Sequence, residues 1–212
     1  MDVFPLPRVD DSLDLLSKAK YFTTLDLSSG YWQVKMDLAS QEKTAFNTYS
    51  GLYEFLVMPF GLCNAPATFQ RLMETVLAGL VRERCVVYID DILVIGETFE
   101  QPLKNLCKVL DRLREANLKL KPKKCKFAER EVCYLGYIVS ECGLSTDPAK
   151  VEAVKKFPRP SDVRSLRSFL GLVSYYRRFI PSPDEFSVAP VIMKDVECSL
   201  VDNLIAEKLI LP

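Results

Sequence analysis

The sequence predicts an α+β fold in which an antiparallel sheet packs against amphipathic helices. Short runs rich in Val, Ile, Leu and Tyr, bounded by turn residues, predict strands that pair as hairpins. Longer segments with apolar residues three and four positions apart predict helices between those hairpins. With 212 residues, 49% of them hydrophobic, the chain is long enough to bury a core in one or two compact subdomains.

The first elements are a short helix and a strand that ends in a carboxylate. After the proline-rich segment Phe4–Pro7, three apolar residues share a helical face: Val9, Leu13 and Leu16. The run Phe22–Leu27 then predicts a strand, with Asp26 near its end beside a Ser-Ser-Gly turn. Asp26 is therefore either a functional carboxylate or a cap for the turn at residues 28–31.

A hairpin, a loop and a helix follow. Alternating residue types on either side of a Ser-Gly pair predict strands over Lys43–Tyr49 and Leu52–Val57. The Pro/Gly segment Met58–Leu62 predicts a loop. Pro66 suits the first turn of a helix, and the apolar face of that helix comprises Phe69, Leu72, Met73, Val76, Leu77 and Leu80.

The central stretch, Cys85–Ile95, holds two apolar runs with the adjacent carboxylates Asp90 and Asp91 between them. The runs predict buried strands, and ionised side chains next to a buried strand are costly unless they are paired or bind metal. A divalent cation would remove the repulsion between two aspartates, and hard oxygen ligands suit Mg²⁺ or Mn²⁺. The alternative is a polar hairpin turn with both aspartates in solvent.

Beyond this hairpin, Thr98 and Gln101 have the spacing of a capping box. They predict a second amphipathic helix that ends near Asn117, with an apolar face of Leu103, Leu106, Leu110 and Leu113. Strands are predicted over Leu118–Lys121 and Val132–Val139.

The C-terminal part predicts short basic helices. One starts at Thr146–Pro148 and another at Ser161–Asp162, separated by the stop Phe157–Pro160. The buried face of the second comprises Val163, Leu166, Phe169, Leu170, Val173 and Tyr176. A further acidic helix is predicted over Leu200–Leu211.

Composition excludes several classes of site. The chain has no histidine, so Ser–His and Cys–His catalysis are excluded, and a zinc site would need thiolates and carboxylates alone. Its seven cysteines show no Cys-x-x-Cys spacing, so reduced thiols are expected. No apolar run reaches membrane-spanning length and no secretory leader follows Met1, so we expect a soluble, intracellular protein.

The net charge of zero hides an asymmetry. Six of the 28 acidic residues but two of the 28 basic residues follow Pro181, so residues 1–181 carry a net charge of +4. One basic cluster comprises Lys119, Lys121, Lys123, Lys124, Lys126 and Arg130. A second comprises Lys150, Lys155, Lys156, Arg159, Arg164, Arg167, Arg177 and Arg178. Such clusters either follow a phosphate backbone or form a solvated face.

The order of these elements describes a polymerase palm, and the motifs resemble one family. They are Phe22–Tyr31, Glu42–Phe46, Gly51–Phe55, Met58–Leu62, Asn64–Gln70, Tyr88–Asp91, Tyr134–Gly136, Leu166–Leu172 and Tyr175–Phe179. In this order, over residues 3–181, the sequence resembles the reverse transcriptase of gypsy-class LTR retrotransposons. The resemblance implies a reverse-transcriptase palm with an antiparallel sheet and packed helices, truncated fingers and a helical thumb.

The resemblance implies a two-metal nucleotidyl transfer that adds deoxynucleotides to a primer on an RNA or DNA template. Asp26, Asp90 and Asp91 would be catalytic and would bind two Mg²⁺ ions, or Mn²⁺ in their place, with Leu27 as a further metal-binding position. The implied nucleotide-binding residues are Leu27, Ser28, Tyr31, Phe60 and Gly61. Tyr31 would stack under the sugar and exclude a 2′-hydroxyl, although a packed strand tyrosine is the alternative.

The implied template- and primer-binding residues are Pro66, Phe69, Gln70, Arg71, Tyr88, Leu135, Gly136, Lys155 and Arg167. The expected partners are therefore an RNA or DNA template-primer and deoxynucleoside triphosphates, with no membrane. The family context implies cytoplasmic particles, possible nuclear residence and no targeting signal, and it leaves the oligomeric state open.

The family pattern divides the chain into residues 1–145 (truncated fingers and palm), 146–181 (thumb-like helices) and 182–212 (an unassigned acidic tail). About 50 further fingers residues, including a basic triphosphate clamp, precede Phe4 in the family. We therefore expect exposed apolar surface where such residues would pack. Besides a polymerase, two alternatives remain: a catalytically inactive, nucleic-acid-binding remnant, and a structural protein whose tail recruits a partner.

Overall fold

The computed structural model describes residues 4–176 and 179, which form a mixture of helices and antiparallel sheet. The predicted α+β class is therefore confirmed. The strands are β1 (Tyr21–Asp26), β2 (Phe46–Thr48), β3 (Gly51–Tyr53), β4 (Cys85–Tyr88), β5 (Asp91–Gly96), β6 (Lys126–Glu129), β7 (Glu131–Tyr134), β8 (Tyr137–Ser140) and β9 (Gly143–Thr146). The helices are α1 (Val9–Asp14), α2 (Leu38–Gln41), α3 (Ala65–Val76), α4 (Glu100–Glu115), α5 (Pro148–Lys155) and α6 (Val163–Ser174).

The chain divides into two compact units. Among the described residues, the first contains residues 4–135 together with Val139–Leu144, and the second contains Gly136–Ile138 and residues 145–176 with Phe179. Arg177 and Arg178 of the second basic cluster, the predicted helix Leu200–Leu211 and the whole acidic tail lie outside the described residues. The three-part domain assignment stays a prediction.

The centre of the first unit is a four-stranded sheet in the order β4-β5-β1-β6. Strands β1 and β5 pair antiparallel from Tyr21 opposite Gly96 to Asp26 opposite Asp91. Strands β4 and β5 form the predicted hairpin, with Tyr88 opposite Asp91. This register brings the end of β1 and the β4–β5 turn to the same edge of the sheet.

Helices α3 and α4 contribute to the core of which this sheet is part. Phe69 and Met73 on α3, and Leu77 at its C-cap, are fully buried in a cluster with residues of β1, β4 and β5, as the predicted apolar face requires. Burying a large apolar side chain stabilises the fold by about 1.5–3 kcal/mol relative to leaving it exposed. The α3 helix therefore shares one hydrophobic core with the central sheet.

The predictions for α4 were partly wrong. The N-cap residue is Phe99, with no side-chain cap, and Gln101 instead accepts a hydrogen bond from the Glu97 amide, so the capping box is absent. The buried face is also rotated from the predicted leucine stripe, because Asn105 is buried and donates to the Ile95 carbonyl at 2.9 Å. Leu103 is consequently exposed.

The β2–β3 hairpin is shorter than predicted. Residues Glu42–Thr44 form a 3₁₀ helix, so pairing of β2 with β3 covers three residues on each strand. At the other end, Val57 pairs with Lys35. Large exposed apolar side chains are concentrated in this region: Trp32, Leu38, Phe46, Tyr49, Leu52, Tyr53, Leu56 and Phe60. The chain therefore has an exposed apolar surface here. That further fingers residues would pack on this surface stays a prediction.

Two strand predictions near the lysine cluster need correction. Residues Leu118–Lys121 form a single bridge, Leu27 with Leu120, and the strand beside β1 is instead β6, which the sequence did not predict. The predicted strand Val132–Val139 is broken into β7 and β8 because Leu135 and Gly136 both have positive φ angles, 48° and 73°. Strands β7, β8 and β9 form a sheet in that order.

The second unit begins its helices where the sequence predicts. The Asp147 side chain caps α5 by accepting from the Ala149 amide, and Asp162 forms a reciprocal capping box with Ser165. Hydrogen bonds from the Ser165 and Arg164 amides lower the pKa of Asp162, with the Ser165 amide the largest cause. Val154, Phe169 and Val173 form the small core, against which Phe157 packs.

None of the helices among the described residues has both the length and the apolar character that a membrane crossing requires. The six cysteines in this part of the chain are free, and burial raises the pKa of the Cys85 thiol to about 12.

Candidate active site

Three aspartates predicted to be catalytic lie at one edge of the central sheet. Asp26 ends β1, Asp91 begins β5, and the two are directly opposite each other in the antiparallel register. Asp90 precedes Asp91 in the turn between β4 and β5. Directly opposed residues share a face of a sheet, with Cα atoms roughly 4.5–5.5 Å apart. The fold therefore brings together carboxylates that are 65 positions apart in sequence.

The electrostatics of Asp91 reflect this crowding. Although Asp91 keeps exposed surface, partial burial of its carboxyl group raises its pKa, and the negative charges of Asp90 and Asp26 raise it further. Lys124 acts in the opposite direction. Two neighbouring carboxylates thus disfavour ionisation of the third, a cost that a bound cation would remove.

Asp26 has a cation beside it already. Its Oδ2 atom lies 3.1 Å from Nζ of Lys124, and its side chain is 29% exposed. The 3₁₀ helix Gly30–Gln33 has Ser29 as its N-cap residue and no side-chain cap. The alternative in which Asp26 caps this turn is therefore excluded. Lys124, a member of the first basic cluster, neutralises the Asp26 carboxylate.

A small cavity adjoins Asp26 and Asp91. Its volume is about 190 Å³, and Lys124, Tyr134 and Leu135 also line it. The Tyr134 side chain is buried, and within the described residues its hydroxyl has no hydrogen-bond partner. Desolvation first, and then the charge of Asp91, raises the pKa of this hydroxyl. The sequence placed Tyr134 in the motif Tyr134–Gly136 but assigned a primer-binding role to Leu135 and Gly136 alone.

Tyr31 and Phe60, two of the predicted nucleotide-binding residues, are brought together. Their ring centroids are 5.2 Å apart, and Tyr31 also makes an edge contact with Phe69 at 5.4 Å. A side chain at Gly30 would place its Cβ 2.9 Å from Cζ of Phe69, so glycine permits this approach. Tyr31 lies in the 3₁₀ helix Gly30–Gln33 rather than in a strand. Burial first, and then the charge of Asp90, raise the pKa of its hydroxyl. Gly61, after Phe60, is exposed.

The backbone amide of Ser28, two residues after Asp26, is already hydrogen-bonded within the chain. The Ser28 amide donates to the Lys119 carbonyl at 2.9 Å, because residues 27–28 pair with residues 119–121. The Ser28 amide is therefore already paired within the chain, and the nucleotide-binding role of Ser28 stays a prediction. The Leu27 side chain is buried.

The predicted template residues on α3 divide into two groups. Pro66 is half-buried and Arg71 is exposed, whereas Phe69 and Gln70 are both fully buried. A fully buried side chain offers no surface to a template, so a template role for Phe69 and Gln70 has no support in their exposure and stays a prediction. Gln70 instead binds the backbone of the β4–β5 hairpin: its Oε1 accepts from the Ile89 amide at 2.6 Å.

The remaining predicted nucleic-acid residues lie in several elements. Tyr88 is half-buried and pairs with Asp91. In the second unit, the Gly136 carbonyl accepts a hydrogen bond from the Tyr176 hydroxyl at 2.9 Å. Lys155 at the end of α5 and Arg167 on α6 are exposed.

The residue types suit a divalent metal, although their side chains do not surround a common point in this structure. In the part of the chain that the structure describes, no three His, Cys, Asp or Glu side chains surround a common point at which an ion would bind. Asp26, Asp90 and Asp91 nevertheless supply carboxylate oxygens, the donors that Mg²⁺ prefers. Binding would require these side chains to turn inward and Lys124 to leave Asp26.

Comparison with known proteins identifies close relatives. Residues 2–139 match the family described as reverse transcriptase (RNA-dependent DNA polymerase). The chain is 46% identical over 181 residues to the retrovirus-related Pol polyprotein from transposon 297 of Drosophila melanogaster, and 48% identical over 179 residues to that from transposon opus. These matches cover 85% and 84% of the chain, but they span 17% and 18% of the polyproteins.

Solved structures show the same fold. The foamy viral protease-reverse transcriptase dRH in complex with ds DNA has a TM-score of 0.80 and 26% identity, covering 96% of this chain and 39% of that one. The foamy viral protease-reverse transcriptase in complex with RNA/DNA hybrid has a TM-score of 0.78 and 28% identity, covering 92% and 26%.

Proposed function

Because the chain belongs to the reverse transcriptase (RNA-dependent DNA polymerase) family, we propose that it extends a primer with deoxynucleotides on an RNA or DNA template, as a segment of a retrotransposon Pol polyprotein. The relatives' names support the polyprotein context. The observation that carries the proposal is the register of β1 and β5, in which Asp26 stands opposite Asp91 with Asp90 in the adjoining turn.

The three aspartates are the groups that would hold two divalent ions, Mg²⁺ or Mn²⁺. Bound between carboxylates, such ions lower the pKa of the primer hydroxyl and neutralise charge on the triphosphate. The raised pKa of Asp91 supports the assignment, because a site built from mutually repelling carboxylates gains most from a cation. Lys124 would hold Asp26 in place while no ion is bound.

Tyr31 and Phe60 would form the floor of the nucleotide pocket. The Tyr31 ring lies close enough to Asp90 for its charge to act on the hydroxyl, and it is backed by the buried Phe69. A ring held on both sides in this way would exclude a 2′-hydroxyl by steric contact. Leu135 and Gly136 would hold the primer, while Arg71, Lys155 and Arg167 would contact phosphates.

Two structural relatives were solved with double-stranded DNA and with an RNA/DNA hybrid, which supports a template-primer duplex as the partner. Deoxynucleoside triphosphates are the proposed second substrate. The Pol relatives favour a virus-like-particle context in the cytoplasm.

Primer extension tests the proposal directly. We would use a poly(rA) template, an oligo(dT) primer and dTTP, with Mg²⁺ and separately with Mn²⁺. The chain is compared with Asp90→Asn/Asp91→Asn, and with Asp111→Asn as a matched control, since Asp111 is an exposed carboxylate on α4 paired with Arg114 at 3.0 Å. We expect extension by the chain and by the control, and none by the double variant.

Two further measurements separate the alternatives. Mg²⁺ or Mn²⁺ should raise the melting temperature, and Asp90→Asn should abolish that shift. An unchanged shift in Asp90→Asn would contradict the metal assignment. Salt-dependent binding of the template-primer without extension would instead support a catalytically inactive, nucleic-acid-binding remnant.

A further inference from the structure

Ile89, in the turn that carries the catalytic aspartates, has an unfavourable backbone conformation. Its φ angle is +55°, in the left-handed region, although it is a β-branched residue. It is the first of the two residues between the paired Tyr88 and Asp91. Hairpin loops of two residues with positive φ at this position usually have glycine there. Something outside the turn must therefore hold Ile89 in this conformation.

The Gln70 side chain hydrogen-bonds the backbone on either side of Tyr88, including the Ile89 amide. Its Oε1 atom accepts a hydrogen bond from the Ile89 amide at 2.6 Å, and its Nε2 atom donates to the Val87 carbonyl at 3.3 Å. One carboxamide thus binds the backbone on both sides of Tyr88. The Gln70 side chain is fully buried, so water cannot replace either bond.

The orientation of the carboxamide is itself fixed. Nε2 of Gln70 also donates to Oε1 of Glu74, one helical turn further along α3, at 3.0 Å. With two acceptors facing the nitrogen and one donor facing the oxygen, the reversed orientation would lose all three bonds. Gln70 is anchored by its neighbour Phe69, which is fully buried in the core.

We propose that Gln70 is a positioning residue of the active site: its carboxamide holds Ile89 in the left-handed conformation and so sets the direction of Asp90 and Asp91. The proposal rests on the proposed polymerase function. It assigns Gln70, a residue that the motif linked to the template, to the geometry of the carboxylates instead.

A matched control exists at the other end of the same hairpin, on β5. Asn105 is also a buried carboxamide on a helix, and its Nδ2 donates to the backbone carbonyl of Ile95 at 2.9 Å. Its Oδ1 accepts from Arg84 at 3.1 Å. Replacing Asn105 with Leu removes one bond to the backbone of β5 and one to the Arg84 side chain, without touching the turn.

The experiment measures kcat and the KM for dTTP on poly(rA)/oligo(dT), per folded molecule, for Gln70→Met, Gln70→Glu, Asn105→Leu and Ile89→Gly. We expect Gln70→Met to lower kcat by roughly tenfold to a hundredfold, because small misplacements of reacting groups have effects of this size. The KM should change by less than about threefold, since the nucleotide pocket keeps its residues. Gln70→Glu keeps an acceptor for the Ile89 amide and should retain more activity.

Rescue separates positioning from general loss of structure. Glycine adopts positive φ without the steric cost, so Gln70→Met/Ile89→Gly should recover kcat to within about threefold of Ile89→Gly alone. Asn105→Leu should lower the melting temperature and leave kcat unchanged. Equal kcat losses in Gln70→Met and Asn105→Leu, or no rescue by Ile89→Gly, would overturn the proposal.

A readout without catalysis keeps the proposal separate from the proposed function. If the unmodified chain does not extend the primer, the polymerase proposal fails, and amide hydrogen exchange of Ile89 decides the role of Gln70. We expect exchange to accelerate at least about tenfold in Gln70→Met, or in Gln70→Leu if the first variant does not fold, because both remove the acceptor, and not in Asn105→Leu. Unchanged exchange in the folded variant would overturn the positioning role.

Discussion

The two tight hairpins of the first unit differ in what holds them. The β4–β5 hairpin lies in the central sheet and pairs with β1 along all of β5. Its residues from Ile92 to Gly96 are buried. The β2–β3 hairpin forms a sheet of its own with three-residue strands, and its side chains are mostly exposed. Its contacts are local, such as the stacked rings of Phe46 and Tyr53 at 6.0 Å.

The difference shows where a fold can hold an unfavourable conformation. The β4–β5 turn keeps a non-glycine residue at positive φ because the surrounding core and Gln70 fix it. In the β2–β3 hairpin the residue with positive φ is Gly51, at 139° at the start of β3, and glycine adopts this conformation without such support. A position that must be accurate is thus held by packing, whereas an exposed hairpin depends on its turn residues.

The largest expected effect compares a phenylalanine on α3, in the core that contains the β4–β5 hairpin, with one in the β2–β3 hairpin. Phe69→Ala should lower the free energy of unfolding by about 3–5 kcal/mol, because it removes a fully buried ring. Phe46→Ala should cost less than about 1 kcal/mol, since this ring is 43% exposed. Urea unfolding at neutral pH measures both, and equal losses would contradict the contrast between the two hairpins.

Tyr31 lies between the buried core and an exposed side chain, because its ring contacts both the buried Phe69 and the exposed Phe60. Tyr31→Val should reduce the preference for dTTP over UTP by roughly 10–200-fold, the range that one steric contact in a pocket supports. The ratio of kcat/KM for the two nucleotides measures this. Trp32→Val, an exposed neighbour that also lies near Phe60, is the control and should keep the preference.

The crowded edge of the central sheet predicts a pH effect. Because the pKa of Asp91 is raised in the folded chain, the folded state holds this proton more tightly than the unfolded state. The free energy of unfolding should therefore fall as the pH rises from about 4, the unfolded value, through the raised pKa. Asp91→Asn should remove that fall and make the chain more stable than wild type above this window.

Urea midpoints at several pH values, in a chelator to remove divalent ions, test this expectation. Asp111→Asn serves as the control, because Asp111 is exposed and paired with Arg114. Parallel stability curves for the chain and Asp91→Asn would mean that the three carboxylates do not interact as the register implies.

The smallest effect on stability is expected in the exposed hairpin. Tyr49→Ser and Leu52→Ser should each change the free energy of unfolding by less than about 0.5 kcal/mol, because both side chains are solvent-exposed. They should nevertheless reduce binding of a hydrophobic dye and self-association, since they shrink an apolar surface. Unchanged dye binding would mean that these side chains do not form the surface that the dye binds.

What the sequence predicted well was local or strongly patterned. The strands β1, β4 and β5 are apolar runs, and the α3 face repeats every three to four residues, so their positions follow from the side chains they bury. The three aspartates were placed by the same runs, because Asp26 and Asp91 stand at strand ends and Asp90 lies in the adjoining turn. Their neighbourhood therefore followed once the strands were paired.

What the sequence did not reveal depends on partners far along the chain. Strand β6 is polar, and it is held partly by Thr23 and Thr24, whose hydroxyls accept from the Ala128 and Lys126 amides. Gln70 occupies a helix position with no apolar signal, and its partner Ile89 is 19 positions away. Asn105 similarly displaced the predicted leucine stripe on α4 by binding Ile95. Periodicity contains no information about such pairs.

The strand order β4-β5-β1-β6 also determines when the aspartates can meet as the chain emerges from a ribosome. Strand β1 is made early, yet both of its neighbours, β5 and β6, come much later, and Lys124 follows Asp26 by 98 positions. Contacts across such separations form slowly, because a long loop must close first. Any translation pause before Lys126 would leave β1 with an unpaired edge, so the nascent chain is most prone to aggregate at that stage.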